Sequence, residues 1–358
     1  MKRREMIKTI GAAALATVFT APSLAFDGPE LYKGEKELYE AAKKEGMVVS
    51  FDTGPEWANW KSLFRDFKKR YPDVEMTYND LGSAATVVAL DKTRRRPQAD
   101  TAYYFAASAI DAVAKDVVAP FKPVNFEKLP PVFRDPEGKW FTVHTLSVAF
   151  LVNKKLVKNP PKSWADLLKP EYKNTVVYLD PRSAGVGQVV VLAAAYGNGG
   201  SVDNIKPAID YLGKLQSVGN VLRIEGTTPY AKFIKGEIPI WINYENDGLK
   251  AKYIDGMGDD IEVIIPAEGS VSAPYGKSLV KNGPNPNAGK LWLNFIMSDA
   301  GQSLFAQGFV RPSISDVKLP ADIQAKLPKA QLTPLDVIKA AAQKAEIDRQ
   351  WAQAVLGK

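Results

Sequence analysis

Short apolar runs alternate along most of the chain with longer stretches in which apolar residues return every three or four positions. Met47-Val48-Val49-Ser50-Phe51 is an uninterrupted run between Gly46 and Asp52, as a buried strand requires. Across residues 56–71, Trp57, Trp60, Leu63, Phe64 and Phe67 recur at helical spacing, and residues 74–78 are extended again after Pro72. Strand, helix, strand is the unit that builds a parallel sheet covered by helices. The pattern continues with strands expected at 99–105, 141–152, 175–179, 238–243, 261–265 and 277–280. Helices are expected at 108–118, 187–196, 205–217, 286–298 and 300–307, with an extended one over 333–356. Ser163 stands where it can cap a helical turn over 162–168. The fold class is therefore α/β.

A chain of 358 residues exceeds the roughly 250–300 residues at which single cores stop growing, so two domains are expected. Two passages mark where the chain changes domain. One is residues 120–136, carrying Pro120, Pro123, Pro130, Pro131 and Pro136; the other is the polar, glycine-containing segment 266–276. The expected division is one discontinuous lobe, 26–140 with 266–358, and a second lobe, 141–265. A hinge between such lobes is an ordinary device for closing around a ligand.

The first 25 residues have a basic start (Lys2, Arg3, Arg4), an apolar middle over 10–19 and a small-residue end, Ser23-Leu24-Ala25. That is the layout of a secretory signal peptide, and the apolar middle is shorter than a membrane span of about 20 residues. Arg3-Arg4 resembles the signal read by the twin-arginine export pathway; an ordinary basic leader is the alternative. The leader carries four positive charges and one negative, so its removal lowers the net charge from +7 to +4. The dense run Arg94-Arg95-Arg96 precedes Pro97 without interleaved aromatic residues, which reads as an exposed loop and not a nucleic-acid surface. There is no cysteine, which excludes thiol nucleophiles and disulfides. His144 is the only histidine, which excludes a site needing two imidazoles. His144 lies in an apolar run and no Gly-x-Ser-x-Gly elbow occurs, so a structural histidine is favoured over a hydrolytic triad.

The run Ser163-Trp164-Ala165-Asp166-Leu167-Leu168-Lys169-Pro170-Glu171-Tyr172-Lys173, followed by Asp180-Pro181-Arg182-Ser183-Ala184-Gly185, resembles bacterial extracellular solute-binding proteins of family 1. Leu151-Val152-Asn153-Lys154, Lys235-Gly236-Glu237-Ile238-Pro239 and Trp292-Leu293-Asn294-Phe295-Ile296-Met297-Ser298 carry the same likeness. The resemblance implies a two-lobed, type II-like periplasmic binding fold with the ligand cleft between lobes joined by a hinge. It further implies a monomer that delivers a small solute to the membrane permease of an ABC importer, with no catalysis and no cofactor.

Open α/β sheets bind ligands at the carboxyl ends of their strands, so candidates are sought there. Glu56 and Trp57 follow the first strand, Gly82-Ser83 opens a helix, and Tyr103 ends a strand. Arg182 and Ser183, at a strand-to-helix turn, form the main anion candidate, because a guanidinium offers a planar fork to carboxylate or phosphate. Around the strand 238–243, Asn243, Tyr244, Glu245 and Asp247 place acids beside aromatic rings, which suits an ammonium group; acids starting the next helix are the alternative. Tyr275 completes the set. A cation-seeking and an anion-seeking group together predict a small charged solute, such as an amino acid-like, polyamine, aminophosphonate or organophosphate compound. Ferric receptors of the resembled family carry adjacent tyrosines after this strand, whereas here Tyr244 precedes Glu245, which lowers the iron reading. No metal site is expected. A ferric carrier and an exported two-domain hydrolase are the rival functions.

Overall fold

The computed structural model describes residues 28–224, 229–330 and 332–358; the leader read from residues 1–25 lies outside the described residues. The strands are β1 Met47–Phe51, β2 Glu75–Tyr78, β3 Thr101–Phe105, β4 Val118–Ala119, β5 Phe141–Asn153, β6 Val176–Val177, β7 Ile240–Tyr244, β8 Ile261–Ile264, β9 Ser270–Val280, β10 Arg311–Pro312 and β11 Leu332–Pro334. The α-helices are α1 Glu35–Glu45, α2 Trp60–Arg70, α3 Ser83–Lys92, α4 Ala106–Ala114, α5 Gly185–Gly197, α6 Lys206–Ser217, α7 Tyr230–Ile234, α8 Glu245–Tyr253, α9 Pro286–Met297, α10 Asp299–Gln307, α11 Ala321–Lys326 and α12 Val337–Trp351.

The main sheet path is β2-β1-β3-β9-β5-β7-β6. β1 is parallel to both β2 and β3, with Val49 opposite Thr77 and Phe51 opposite Ala102. β3, β9, β5 and β7 are successively antiparallel, and β6 is parallel to β7. β5 joins two halves of the sheet: residues 141–147 pair with β9, whereas residues 148–153 pair with β7 and β8. All of β5 is buried, so it lacks the alternation of a one-sided strand.

Helices cover the sheet by burying one face or more. In the first half α2 turns Trp60, Leu63 and Phe67 inward, and Phe67 meets Trp292 and Phe295 of α9 edge-on, at centroid distances of 5.1 and 5.6 Å. In the second half α5 buries every residue from Gly187 to Ala195, because it lies between the sheet and α6.

Several element boundaries differ from the expected ones. The expected short strand at 277–280 is the end of β9, and most of the polar passage 266–276 belongs to that strand. Pro274 and Gly276 disguise it, and the register shift between Thr142 and His144 on β5 lies close to both. The helix expected from residue 56 begins at Trp60, since Ala58 and Asn59 adopt left-handed backbone and the Asn59 amide donates to the Leu304 carbonyl at 2.6 Å. At the C-terminus, residues 332–334 pair in parallel with β9, so α12 starts later than expected. The Asp336 carboxylate accepts the Ile338 and Lys339 N–H groups and caps it. α12 touches α4 in the first half and α5 and α6 in the second.

Candidate functional site

A cleft of about 150 Å³ opens where the carboxyl ends of β1, β2, β3, β6 and β7 come together. The first half supplies Asp52, the loop 54–58 and Asp80, then Gly82 and Ser83 at the start of α3, and Tyr103. The second half supplies Leu179, the stretch 183–186, Tyr230, Trp241, Asn243, Tyr244, Asn246 and Asp247. Leu146 of β5 and Tyr275 of β9 form the floor between them.

Four carboxylates line this space, Asp52, Glu56, Asp80 and Asp247, while none of the described lining residues is lysine or arginine. Burial pushes the Asp52 carboxyl up to about 8, even though its Oδ1 accepts the Gly82 N–H at 2.7 Å. Burial likewise raises Asp247 to about 6 and moves Asp80 upward. Asp247 is held from both sides, with the Asn243 and Asn246 amides donating to its two oxygens at 2.5 and 3.1 Å. Aromatic groups fill the gaps between acids. Tyr103 stacks on Tyr275 at 5.2 Å, and the Tyr275 and Tyr244 hydroxyls share a hydrogen bond of 2.9 Å. Lys250 stands at the rim with its ammonium 4.2 Å from the Tyr230 ring centre and 3.8 Å from carboxylate oxygens of both Glu56 and Asp255.

Buried donors and acceptors without partners among the described residues collect here too. The indole N–H groups of Trp57 and Trp241 and the Oδ1 of Asn246 are of this kind, and all three side chains line the cleft. The first turns of α3 and α5 also meet at the cleft, and the leading N–H groups of a helix have no acceptor within it. Buried polar groups are normally satisfied, so this combination is what a polar solute would complete.

Of the ten residues singled out from the sequence, Glu56, Trp57, Ser83, Tyr103, Ser183, Asn243, Tyr244, Asp247 and Tyr275 come together around this cleft. Arg182 does not, which corrects the expectation of an arginine-based anion site. Its guanidinium turns back to Asp180, with Nη2 donating at 2.6 Å and Nε at 3.0 Å, and lies over the Trp351 ring at 5.4 Å. A carboxylate two residues away and an aromatic face already use the fork. The Ser83 hydroxyl accepts the Phe105 N–H at 2.9 Å and so ties the start of α3 to the end of β3. Glu245 faces away from the cleft and pairs with Arg311. His144 is buried, hydrogen-bonded through Nε2 to the Tyr103 hydroxyl at 3.0 Å, and burial lowers its pKa to about 3.

Sequence reasoning missed Asp52, Asp80, Tyr230, Trp241 and Asn246. Asp52 and Asp80 directly follow or closely trail strands, so the rule that found Glu56 covers them as well. Gly187 is a further contributor: a methyl group there would stand 2.6 Å from the Leu179 carbonyl oxygen and 2.7 Å from Pro181 N. Gly187→Ala is expected to destabilise the protein by about 1–3 kcal/mol by pushing this cleft turn off α5. A lowered urea midpoint with an unchanged slope would show it.

An α/β sheet in two halves, with a cleft of carboxylates and aromatic rings at the strands' carboxyl ends, is the arrangement of a receptor for a small solute. The chain belongs to the bacterial extracellular solute-binding proteins, whose family pattern it matches over residues 100–335. It is 28% identical over 282 residues to a putative 2-aminoethylphosphonate-binding periplasmic protein of Salmonella typhimurium, covering 76% of this chain and 80% of that one. It is 26% identical over 209 residues to the thiamine-binding periplasmic protein of the same organism, covering 58% of this chain and 61% of that one. The periplasmic binding protein AfuA from Actinobacillus pleuropneumoniae, with fructose-6-phosphate bound, superposes with a TM-score of 0.72 at 21% identity, over 87% of this chain and 99% of that one. The chain is thus a solute-binding protein.

Proposed function

We propose that this protein is the periplasmic receptor of an ABC importer for a small zwitterion, an aminoalkylphosphonate-type compound whose ammonium group sits among the cleft acids. The observation that carries the reading is the set of four lining carboxylates, of which only Glu56 has a lysine or arginine within ion-pair distance among the described residues, Lys250 at 3.8 Å. Ammonium groups are held by such acids and by the faces of neighbouring aromatic rings. The oxyanion end is matched by the Trp57 and Trp241 N–H groups, which have no partner among the described residues, and by the first turns of α3 and α5. The likeness to a protein named for 2-aminoethylphosphonate supports the same class. Closure would bring residues 26–140 with 266–358 against residues 141–265, about the β5 and β9 crossings. In this reading the receptor is a monomer without cofactor or chemistry, exported by its leader through the twin-arginine route and docking on its permease when closed.

Isothermal titration decides it. 2-Aminoethylphosphonate should bind, and ethylphosphonate, lacking the amine, should bind far more weakly; equal binding of the two would sink the proposal. A second reading, a solute that is cationic without an oxyanion, draws on the same carboxylates and on the thiamine-binding relative. Putrescine or thiamine binding more tightly than the zwitterion would establish it. Burial raises the Tyr103, Tyr244 and Tyr275 phenols, which opposes the tyrosinates a ferric ion needs. The hydrolase alternative predicts a changed solute after incubation, whereas a receptor returns it intact.

The raised carboxyls predict a pH dependence. In the empty cleft Asp52 holds its proton up to about 8 and Asp247 up to about 6, and an incoming cation favours the ionised forms. Affinity should therefore rise from pH 5 to pH 8.5, and binding at pH 7 should release about one proton. Titrations in two buffers of different ionisation enthalpy measure that proton directly. The stability of the empty protein should follow the opposite trend: these folded-state pKa values exceed the unfolded ones, so their contribution is present below about pH 4 and is lost as pH rises through 6 and 8.

A further inference from the structure

We infer that Trp351 is a positioning residue for solute binding: through the C-terminal helix it ties the cleft-wall turn at 180–185 to the opposite half of the sheet. This rests on the reading of the cleft as the solute site. Trp351 is wholly buried, yet it lies more than 160 residues along the chain from the turn it supports. Its indole N–H donates to the Tyr178 hydroxyl at 3.2 Å, and the Arg182 and Arg223 guanidinium groups each lie 5.4 Å from its ring.

Those contacts bracket the turn. Tyr178 precedes Leu179, a lining residue, and Arg182 precedes the lining stretch 183–186. Within the turn the Asp180 carbonyl accepts the Ser183 and Ala184 N–H groups at 3.2 and 3.1 Å, while the Asp180 carboxylate holds the Arg182 side chain. An indole pinned to Tyr178 on one side and to Arg182 on the other fixes where Ser183, Ala184 and Gly185 present themselves to the cleft.

The other end of the same helix is anchored elsewhere. Val337 is buried in the cluster formed by Ala106, Ala109 and Ala112 of α4, in the half of the sheet that carries Asp52 and Ser83. β11, just before it, pairs with residues 270–272 of β9. α12 therefore runs from the core of one half to the cleft turn of the other, as a strap that registers their relative position. Solute engaging the 183–185 backbone presses on an element already tied across the hinge.

The test is hydrogen exchange on the empty, full-length mature protein, comparing wild type with Trp351→Ala, Trp351→Phe and the double variant Arg182→Gln/Arg223→Gln. In Trp351→Ala, amides of residues 183–186 should exchange at least about tenfold faster, with residues 83–86 on the opposite wall unchanged; Trp351→Phe, which keeps an aromatic ring but loses the N–H that the Tyr178 hydroxyl accepts, should fall between the two. The arginine double variant leaves the indole in the core and should show the same local loss, so a folding defect in Trp351→Ala does not remove the test. Unchanged exchange at 183–186 in both, or equal acceleration at both walls, overturns the proposal. Titration with 2-aminoethylphosphonate should then show weaker binding wherever exchange has risen, and unchanged affinity there overturns the link to binding. Should the wild type ignore that compound, the solute class fails, while the exchange comparison still decides the role of Trp351.

Discussion

Asparagine in place of Asp247 is expected to weaken binding of an ammonium-bearing solute by about 2–5 kcal/mol, the usual loss when one member of a desolvated charge pair is neutralised. That is roughly thirtyfold to several thousandfold in affinity. The substitution keeps the shape of the side chain but removes the charge. It also turns one of the two oxygens into a donor, although the Asn243 and Asn246 amides now donate to one oxygen each, so one of these hydrogen bonds is lost. The empty protein should suffer little, because relief of a charge that burial disfavours offsets that loss. A melting temperature close to wild type, together with lost binding, separates a site effect from a folding effect. Unchanged affinity for 2-aminoethylphosphonate, putrescine and every other ammonium compound that binds the wild type would remove Asp247 from the site. Asp52→Asn makes a useful contrast. Asp52 keeps its proton up to about 8, so its replacement should matter less at pH 6 than at pH 8.5.

The hydrophobic pattern carried the alternation of strands and helices because period two and period 3.6 are consequences of backbone geometry that every residue shares. It lost the first seven residues of β9 because Pro274, Gly276 and two serines replace the branched apolar residues that signal a strand, in a position where both neighbours are other strands and packing decides. The cleft was legible to the same extent as the strands, since its residues lie just beyond their carboxyl ends. Arg182 shows where that logic stops. Residue type and position mark it as an anion ligand, but whether its fork is free depends on Asp180 beside it and on Trp351, which no local pattern brings near. Asp247 and Glu245 make the same point from neighbouring positions. Two residues apart on the first turn of α8, one opens to the cleft and the other is taken by an arginine from β10.

That arginine sets up the second large effect. Glu245 is 1% exposed and its carboxylate meets Arg311 in a two-point pair, Nε at 2.6 Å and Nη2 at 3.2 Å. Glu245→Ala should cost about 3 kcal/mol of stability, near the low end for breaking a buried ion pair, because Arg311 keeps some access to water. The pair links the start of α8, beneath Asp247, to β10, whose Arg311 stands opposite Thr145 on the β5 crossing strand. Its loss should therefore lower the denaturant midpoint and also loosen Asp247, so that affinity falls even where the protein remains folded. A double-mutant cycle with Arg311→Ala gives the interaction itself. The two single losses should exceed the loss in the double variant when summed, since each single change strands one charge and the double change strands none. Additive losses would mean that the pair is not an energetic unit, and that the placement of Asp247 rests on the packing of α8 alone.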